Sequence, residues 1–274
     1  MSMTIFKSLK FIAPVLAAAS ISACATSRSV GEDELAAGLT SRATIVPSTQ
    51  AEREAVRGQD LLTQAAFWAE AYDLNPADRE AAIELSTVLR RLGSTRQAAE
   101  TARQAMAMFP ADADILYAYG AALTADGRGV AAIEPLGRAE SLRPTDWRIQ
   151  NALGVAYEAA EMRDDARTHF RTALNLAPSE PAIMSNLALS YAMGGDPEAA
   201  ERLLREAIAR PGADATVRQN LALVIALQGR FEEAETMARV DVAPRVAESN
   251  LAYVRAMLTT QRRWDTIRGD EGTP

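Results

Sequence analysis

Proline recurs at a fixed interval along most of this chain, and that interval constrains the fold more than any other feature. Pro76, Pro110, Pro144 and Pro178 each lie 34 residues from the next. A fixed period of this length is typical of repeat architectures, in which each unit buries its apolar face only against neighbouring units. The sequence therefore predicts a stack of similar units and not one closed core.

Four other kinds of position follow the same period. A small residue recurs at two places in each unit, first as Ala98, Ala132, Ala166, Ala200 and Ala234, then as Ala71, Ala105, Ala139, Ala173 and Ala207. A larger apolar residue recurs between them as Trp68, Leu136, Phe170 and Leu204. A turn glycine recurs as Gly93, Gly127, Gly195 and Gly229, a series that Glu161 interrupts. An alanine-rich helical bundle without repeats does not predict this shared phase.

These positions together resemble the tetratricopeptide (TPR) family, whose repeats of 34 residues are pairs of antiparallel helices. The resemblance implies an all-α fold, a right-handed superhelical solenoid of helix-turn-helix repeats. We place the repeats at residues 77–244 and a degenerate capping pair at 49–76. A capping helix over 245–260 and a polar tail over 261–274 follow. The interval from Leu221 to Leu251 is 30 residues, so the last connection should be four residues short.

The N-terminus reads as a lipoprotein signal peptide over residues 1–23. Lys7 and Lys10 precede a short apolar stretch, which is too short for a transmembrane helix. The segment ISAC then resembles the bacterial lipobox, which implies cleavage before Cys24 and a covalent lipid on its sulfur. Residues 24–48 are polar and suit a flexible tether. Ala25 after the cysteine implies the periplasmic face of the outer membrane of a Gram-negative cell.

Composition argues against several functional classes. Both lysines lie in the signal segment, so its removal leaves 27 arginines against 36 acidic residues, a balance that does not attract nucleic acid. Cys24 is the only cysteine, so no internal disulfide or thiolate metal cluster can form. The single histidine, His169, reads as a surface residue. We therefore expect no enzyme activity, catalytic residue, metal site, cofactor or small-molecule substrate; an enzyme would need a catalytic carboxylate pair that the sequence does not show.

The first helices of the late repeats carry an apolar strip. In the early repeats the groove positions are mixed, as with Glu80 and Asp114. In the late repeats the same positions are apolar, and we define them as the strip: Leu189, Met193, Leu223, Leu227, Tyr253 and Met257. An exposed apolar strip marks a protein-binding surface. The alternative is that the capping helix, or the tail with Trp264, covers the strip as core. Mature lysine is absent, which disfavours a carboxylate clamp built on Asn186, Asn220 and Asn250.

The C-terminal segment carries a more specific resemblance. Residues 250–258 read NLAYVRAML and Trp264 follows soon after. With the lipobox, tether and repeats, they resemble the TadD family of lipoproteins from the tight-adherence (Tad or Flp) pilus system. This resemblance implies an outer-membrane adaptor for pilus assembly, pilotin-like, with the secretin or another pilus-assembly component as protein partner. The alternative in the same class is an adaptor for β-barrel assembly or for cell-wall hydrolases.

Overall fold

The described part of the chain is helical outside its turns. The computed structural model describes the backbone of residues 49 to 270, and the side chains of residues 49 to 256 and 259. Within that range there are thirteen α-helices and no β-strand, so the predicted all-α fold is confirmed. In chain order the helices are α1 Gln50–Arg57, α2 Leu61–Leu74, α3 Arg79–Arg91, α4 Thr95–Met108, α5 Ala113–Ala125, α6 Gly129–Leu142, α7 Trp147–Ala159, α8 Arg163–Leu176, α9 Pro181–Met193, α10 Pro197–Ile208, α11 Ala215–Leu227, α12 Phe231–Ala238 and α13 Pro244–Asp270.

The helices divide into two units at Leu176. The N-terminal unit contains α1 to α8 and the C-terminal unit contains α9 to α13. In each unit a helix packs on the next one along the chain, and odd-numbered helices also pack on each other, as α3 does on α5 and α9 on α11. This is the contact pattern of stacked helix pairs, in which the first helices form one layer and the second helices the other.

Aspartates begin the first helices of the N-terminal unit. Asp78, Asp112 and Asp146 are the N-caps of α3, α5 and α7, and each accepts a hydrogen bond from a backbone N–H of the first helical turn. Such caps satisfy N–H groups that have no partner within the helix. The 34-residue spacing of these aspartates therefore fixes where each first helix begins.

The recurrent alanines lie where the helices cross. Ala98, Ala132 and Ala166 in the N-terminal unit, and Ala200 and Ala234 in the other, are all fully buried. A larger side chain would force the two helix axes apart. Gly154 shows how close the approach is, because a Cβ built on it would lie 2.5 Å from Cδ1 of the buried Phe170. The predicted helix-crossing positions are thus confirmed.

The turn between the two helices of a pair uses left-handed backbone. Gly93, Gly127, Gly195 and Gly229 have φ between 78° and 91°. Glu161, which interrupts the glycine series, takes the same conformation with φ 65°. The turn geometry is therefore kept in every repeat, and at one of them a side chain carries the strain of positive φ.

The last two helices differ in length from their counterparts. α12 has 8 residues, whereas α10 has 12 and α8 has 14, which is how the shortened last interval is accommodated. α13 has 27 residues and runs to Asp270, so it includes most of the segment for which the sequence suggests a polar tail. Neither glycine nor proline occurs between Pro244 and Gly269, and nothing in that stretch ends the helix.

Candidate functional site

The strip lies on three helices that pack in a row within the C-terminal unit. Leu189 and Met193 are on α9, Leu223 and Leu227 on α11, and Tyr253 on α13. α9 packs against α11, and α11 packs against α13. The structure therefore places the strip residues on neighbouring first helices, as the 34-residue period requires. Met257 also belongs to α13, but its side chain is outside the described residues.

The strip residues differ in exposure. Leu189, Met193 and Leu227 are partly exposed, and Tyr253 is 43% exposed. Leu223 is only 9% exposed. Four of the five described members therefore present surface to solvent, and Leu223 is mostly covered.

Leu223 is covered because the capping helix packs over it. It lines a small apolar cavity of about 30 Å³ together with Ala222 of its own helix, Val242 of the preceding loop, and Leu251 and Val254 of α13. Leu251 and Val254 lie one turn apart on α13, and both are buried. At this one position the alternative in the sequence, that the capping helix covers the strip, describes the packing.

The helices beneath the strip are almost uncharged. α9 has no acidic or basic residue, and the only one on α11 is Arg218. The Arg218 guanidinium donates two hydrogen bonds to Asp241, of 2.6 and 2.8 Å, and this contact holds the pKa of Asp241 below its usual range. A bound segment therefore meets apolar side chains and few free charges, an environment that penalises the burial of a charged ligand.

Polar contacts fix the spacing of the first helices below the strip. The Asn220 amide on α11 donates a 2.9 Å hydrogen bond to the Ser185 hydroxyl on α9. Ser185 is buried, so this bond satisfies a hydroxyl that would otherwise be costly to bury. Asn220 thus contributes to packing between repeats.

Sequence reasoning missed a buried carboxylate near this surface. Glu201 on α10 is 7% exposed and accepts hydrogen bonds from Arg230, at 2.8 Å, and from Gln228, at 2.7 Å. Burial raises its pKa, yet these partners hold the pKa below the usual value. It joins α10 to the turn that follows α11. No local pattern announces this role, because both partners lie more than 25 residues away.

His169 is not a free surface residue. Its ring is half-buried and stacks on Tyr157 with centroids 5.1 Å apart, and Nδ1 lies 2.9 Å from the Gln150 side-chain oxygen. Burial lowers its pKa, an effect that Glu140 and Asp165 oppose. It therefore packs α8 on α7 as a neutral ring. Among the described residues there is no group of three or more potential metal ligands.

The predicted lipid-acceptor Cys24 lies outside the described residues. Of the helices that are described, none is both long enough and apolar enough to cross a bilayer.

Comparison with solved structures places the fold among known repeat proteins. PilW, titled a widely conserved type IV pilus biogenesis factor, matches with a TM-score of 0.59 and 20% identity, over 70% of this chain and 91% of that one. A thermophilic TPR protein of Thermus thermophilus matches with a TM-score of 0.55 and 23% identity, over 60% and 90%. Pseudomonas aeruginosa pilF matches with a TM-score of 0.51 and 17% identity, over 74% and 92%.

No curated protein matches the sequence significantly. The family model described as "Tetratricopeptide repeat" matches residues 83–146, 151–215 and 186–243. These segments span more than half of the 274 residues and coincide with the stacked helix pairs. The chain therefore belongs to the tetratricopeptide-repeat family.

Proposed function

We propose that this protein is an outer-membrane-anchored adaptor for assembly of a Tad/Flp-type pilus secretion machine, and that its strip binds a protein partner, with the secretin as the first candidate. The observation that carries the proposal is the accessible, nearly uncharged apolar surface formed by Leu189, Met193, Leu227 and Tyr253. It suits the apolar face of an amphipathic helix laid into a groove.

The size of the strip sets the affinity that it can provide. A fully buried leucine or methionine contributes about 1.5–3 kcal/mol. Leu189, Met193 and Leu227 are already partly buried, so each has less left to gain. Micromolar binding requires about 8 kcal/mol net of the cost of association. The strip therefore supplies the apolar centre of an interface whose rim must come from the neighbouring polar side chains.

Two observations support the pilus assignment. The C-terminal segment NLAYVRAML, shared by resemblance with TadD lipoproteins, forms the part of α13 that packs over Leu223. PilW, a solved protein of the same fold, is described by its title as a type IV pilus biogenesis factor. That likeness is one of fold, so the functional proposal depends on the strip and on the C-terminal segment.

The anchor has a separate part in the proposal. A lipid on Cys24 holds the protein at the outer membrane, because several acyl chains together bind a bilayer far more stably than one. The repeats then present the strip to a partner in the same membrane. We expect Cys24→Ser to move the protein from the outer-membrane fraction to the soluble periplasmic fraction, while its fold is unchanged.

A pull-down from detergent-solubilised outer membranes tests partner binding. Wild-type full-length protein should recover the pilus secretin, and Leu227→Asp should lose most of it. Val130→Asp is the matched control, since Val130 is 72% exposed on α6 in the N-terminal unit. Recovery of a β-barrel assembly component or a cell-wall hydrolase instead of the secretin would overturn the pilus assignment. Equal recovery by both variants would overturn the strip as the binding site.

A further inference from the structure

The first helix of the N-terminal unit is attached differently from the helices that follow it. Only Val56 is buried among the eight residues of α1. By contrast, α3 buries five residues and α5 seven, as expected of helices held by an apolar face. The attachment of α1 must therefore come mainly from other contacts.

Those contacts are ionic, and two arginines one turn apart make them. Arg53 donates to Glu80 at 2.7 Å and forms a two-pronged contact with Asp78. Arg57 donates to Glu84 at 3.0 Å and also contacts Glu80. The three carboxylates all belong to α3 or to its N-cap. The pair of arginines thus joins α1 to the beginning of α3.

The same guanidinium groups cover an aromatic ring. The Trp68 ring is fully buried, and Arg53 and Arg57 lie 5.6 and 5.8 Å from its centroid. The distances are those of cation–π contacts. The indole N–H is buried without a hydrogen-bond partner. Removal of α1 would let water reach both the ring and this N–H, so the apolar gain from covering Trp68 is partly offset by an unsatisfied donor.

We propose that α1 is a reversible ionic latch between the N-terminal segment and the repeats. In the latched state the repeats begin at Thr49, and in the released state they begin at the N-cap of α2, Asp60. Release hands roughly twelve residues to the segment that precedes the fold. The remaining repeats keep their own core, since Trp68 also packs edge-on against Phe67.

The latch has a consequence if Cys24 is lipidated as in the proposed function. A tether of about 24 residues reaches at most about 80 Å, and about twelve more residues extend that limit to about 120 Å. The latch would then set how far from the membrane the strip can be presented. The latch itself does not depend on the lipid or on any partner.

Ionic strength is the natural control of such a contact. The Arg57 side chain is 39% exposed, whereas the Arg53 and Asp78 side chains are 16% and 14% exposed. Exposed pairs are screened by salt more strongly than partly buried ones. We therefore expect salt to weaken the Arg57 contacts first and the Arg53 contact with Asp78 last.

Hydrogen exchange of the full-length protein in detergent tests the latch. The double variant Arg53→Met, Arg57→Met keeps apolar stems over Trp68 but removes both charges, and it should raise exchange in α1 at least tenfold. Exchange in α7 should be unchanged. Arg103→Met is the matched control, because Arg103 pairs with Glu100 of its own helix, and it should leave α1 unaffected.

Two further measurements keep the test decisive. Asp78→Asn retains a good N-cap and removes one charge, and it should raise exchange in α1 several-fold. Raising the salt from about 0.01 M to about 1 M, which shortens the screening length from about 30 Å to about 3 Å, should do the same in the wild type. Unchanged exchange in α1 in the double variant, or loss of protection throughout α2 to α8, would overturn the latch. Neither result would alter recovery of a partner through Leu227, so the latch and the proposed function fail separately.

Discussion

Glu161 is the position at which this repeat departs from its own turn chemistry, and it gives a measurable prediction. It has φ 65° where the other four turns have glycine. A side chain in the left-handed region costs about 1–2 kcal/mol, because Cβ approaches the neighbouring carbonyl oxygen. Glycine avoids this cost but loses about 0.4–1 kcal/mol through the greater entropy of the unfolded chain. Glu161→Gly should therefore stabilise the protein by about 0.5–1 kcal/mol.

The comparison with alanine isolates the backbone effect. Glu161→Ala removes the side-chain contacts of Glu161 but keeps Cβ, so the difference between the alanine and glycine variants measures strain alone. Gly127→Ala makes the reverse change at the equivalent turn one repeat earlier, where φ is 78°. It should destabilise by about the same 0.5–1 kcal/mol.

Urea unfolding followed by circular dichroism is the assay, with midpoints compared at a shared slope. Repeat arrays can unfold in more than one step, so the four proteins must show transitions of the same shape for the comparison to hold. If the glycine variant at residue 161 is no more stable than the alanine variant, the strain argument is wrong.

Three further predictions concern packing and pH. Ala200→Arg, at a fully buried helix crossing, should cost several kcal/mol in urea unfolding, and a neutral result would contradict the repeat alignment. Gly154→Ala should cost about 1–3 kcal/mol because the new Cβ meets Phe170, whereas Gly137→Ala, with nothing within 4 Å, should be neutral or stabilising; equal effects would show that the close approach does not matter. The lowered pKa of His169 means that the unfolded chain binds its proton first, so the free energy of unfolding should fall as the pH drops below about 6.5 towards the folded-state pKa. His169→Gln should remove that slope between about pH 6.5 and 5, and a slope that survives would exclude this histidine as its source.

Much of the fold is predictable because its determinants repeat. Alanine at a helix crossing is ambiguous once, but Ala98, Ala132 and Ala166 in one phase specify a pair of helices that approach closely. Their complete burial confirms the prediction. Glu161 shows the strength of the phase as well, because it keeps the turn despite an unfavourable residue.

The candidate site was less predictable, because it depends on where one helix lies against the next. The period places Leu223 in the same series as Leu189, yet Leu223 is covered by α13 and Leu189 is not. The shortened α12 and the long α13 decide that difference, and neither length follows from the repeat. The contacts of Arg53 were equally hidden, since its carboxylate partners lie at least 25 residues further along the chain.

Site-specific photo-crosslinking tests the central claim, that the strip binds a pilus-assembly partner, most directly. A photoreactive amino acid at Leu227, in the full-length protein within cells that assemble the pilus, should form a covalent adduct with the secretin. The same amino acid at Val130, exposed on α6, should not. A secretin adduct from Leu227 alone is the result that this account predicts. The same adduct from both positions, or an adduct from Leu227 only with a protein outside the pilus machinery, would contradict it.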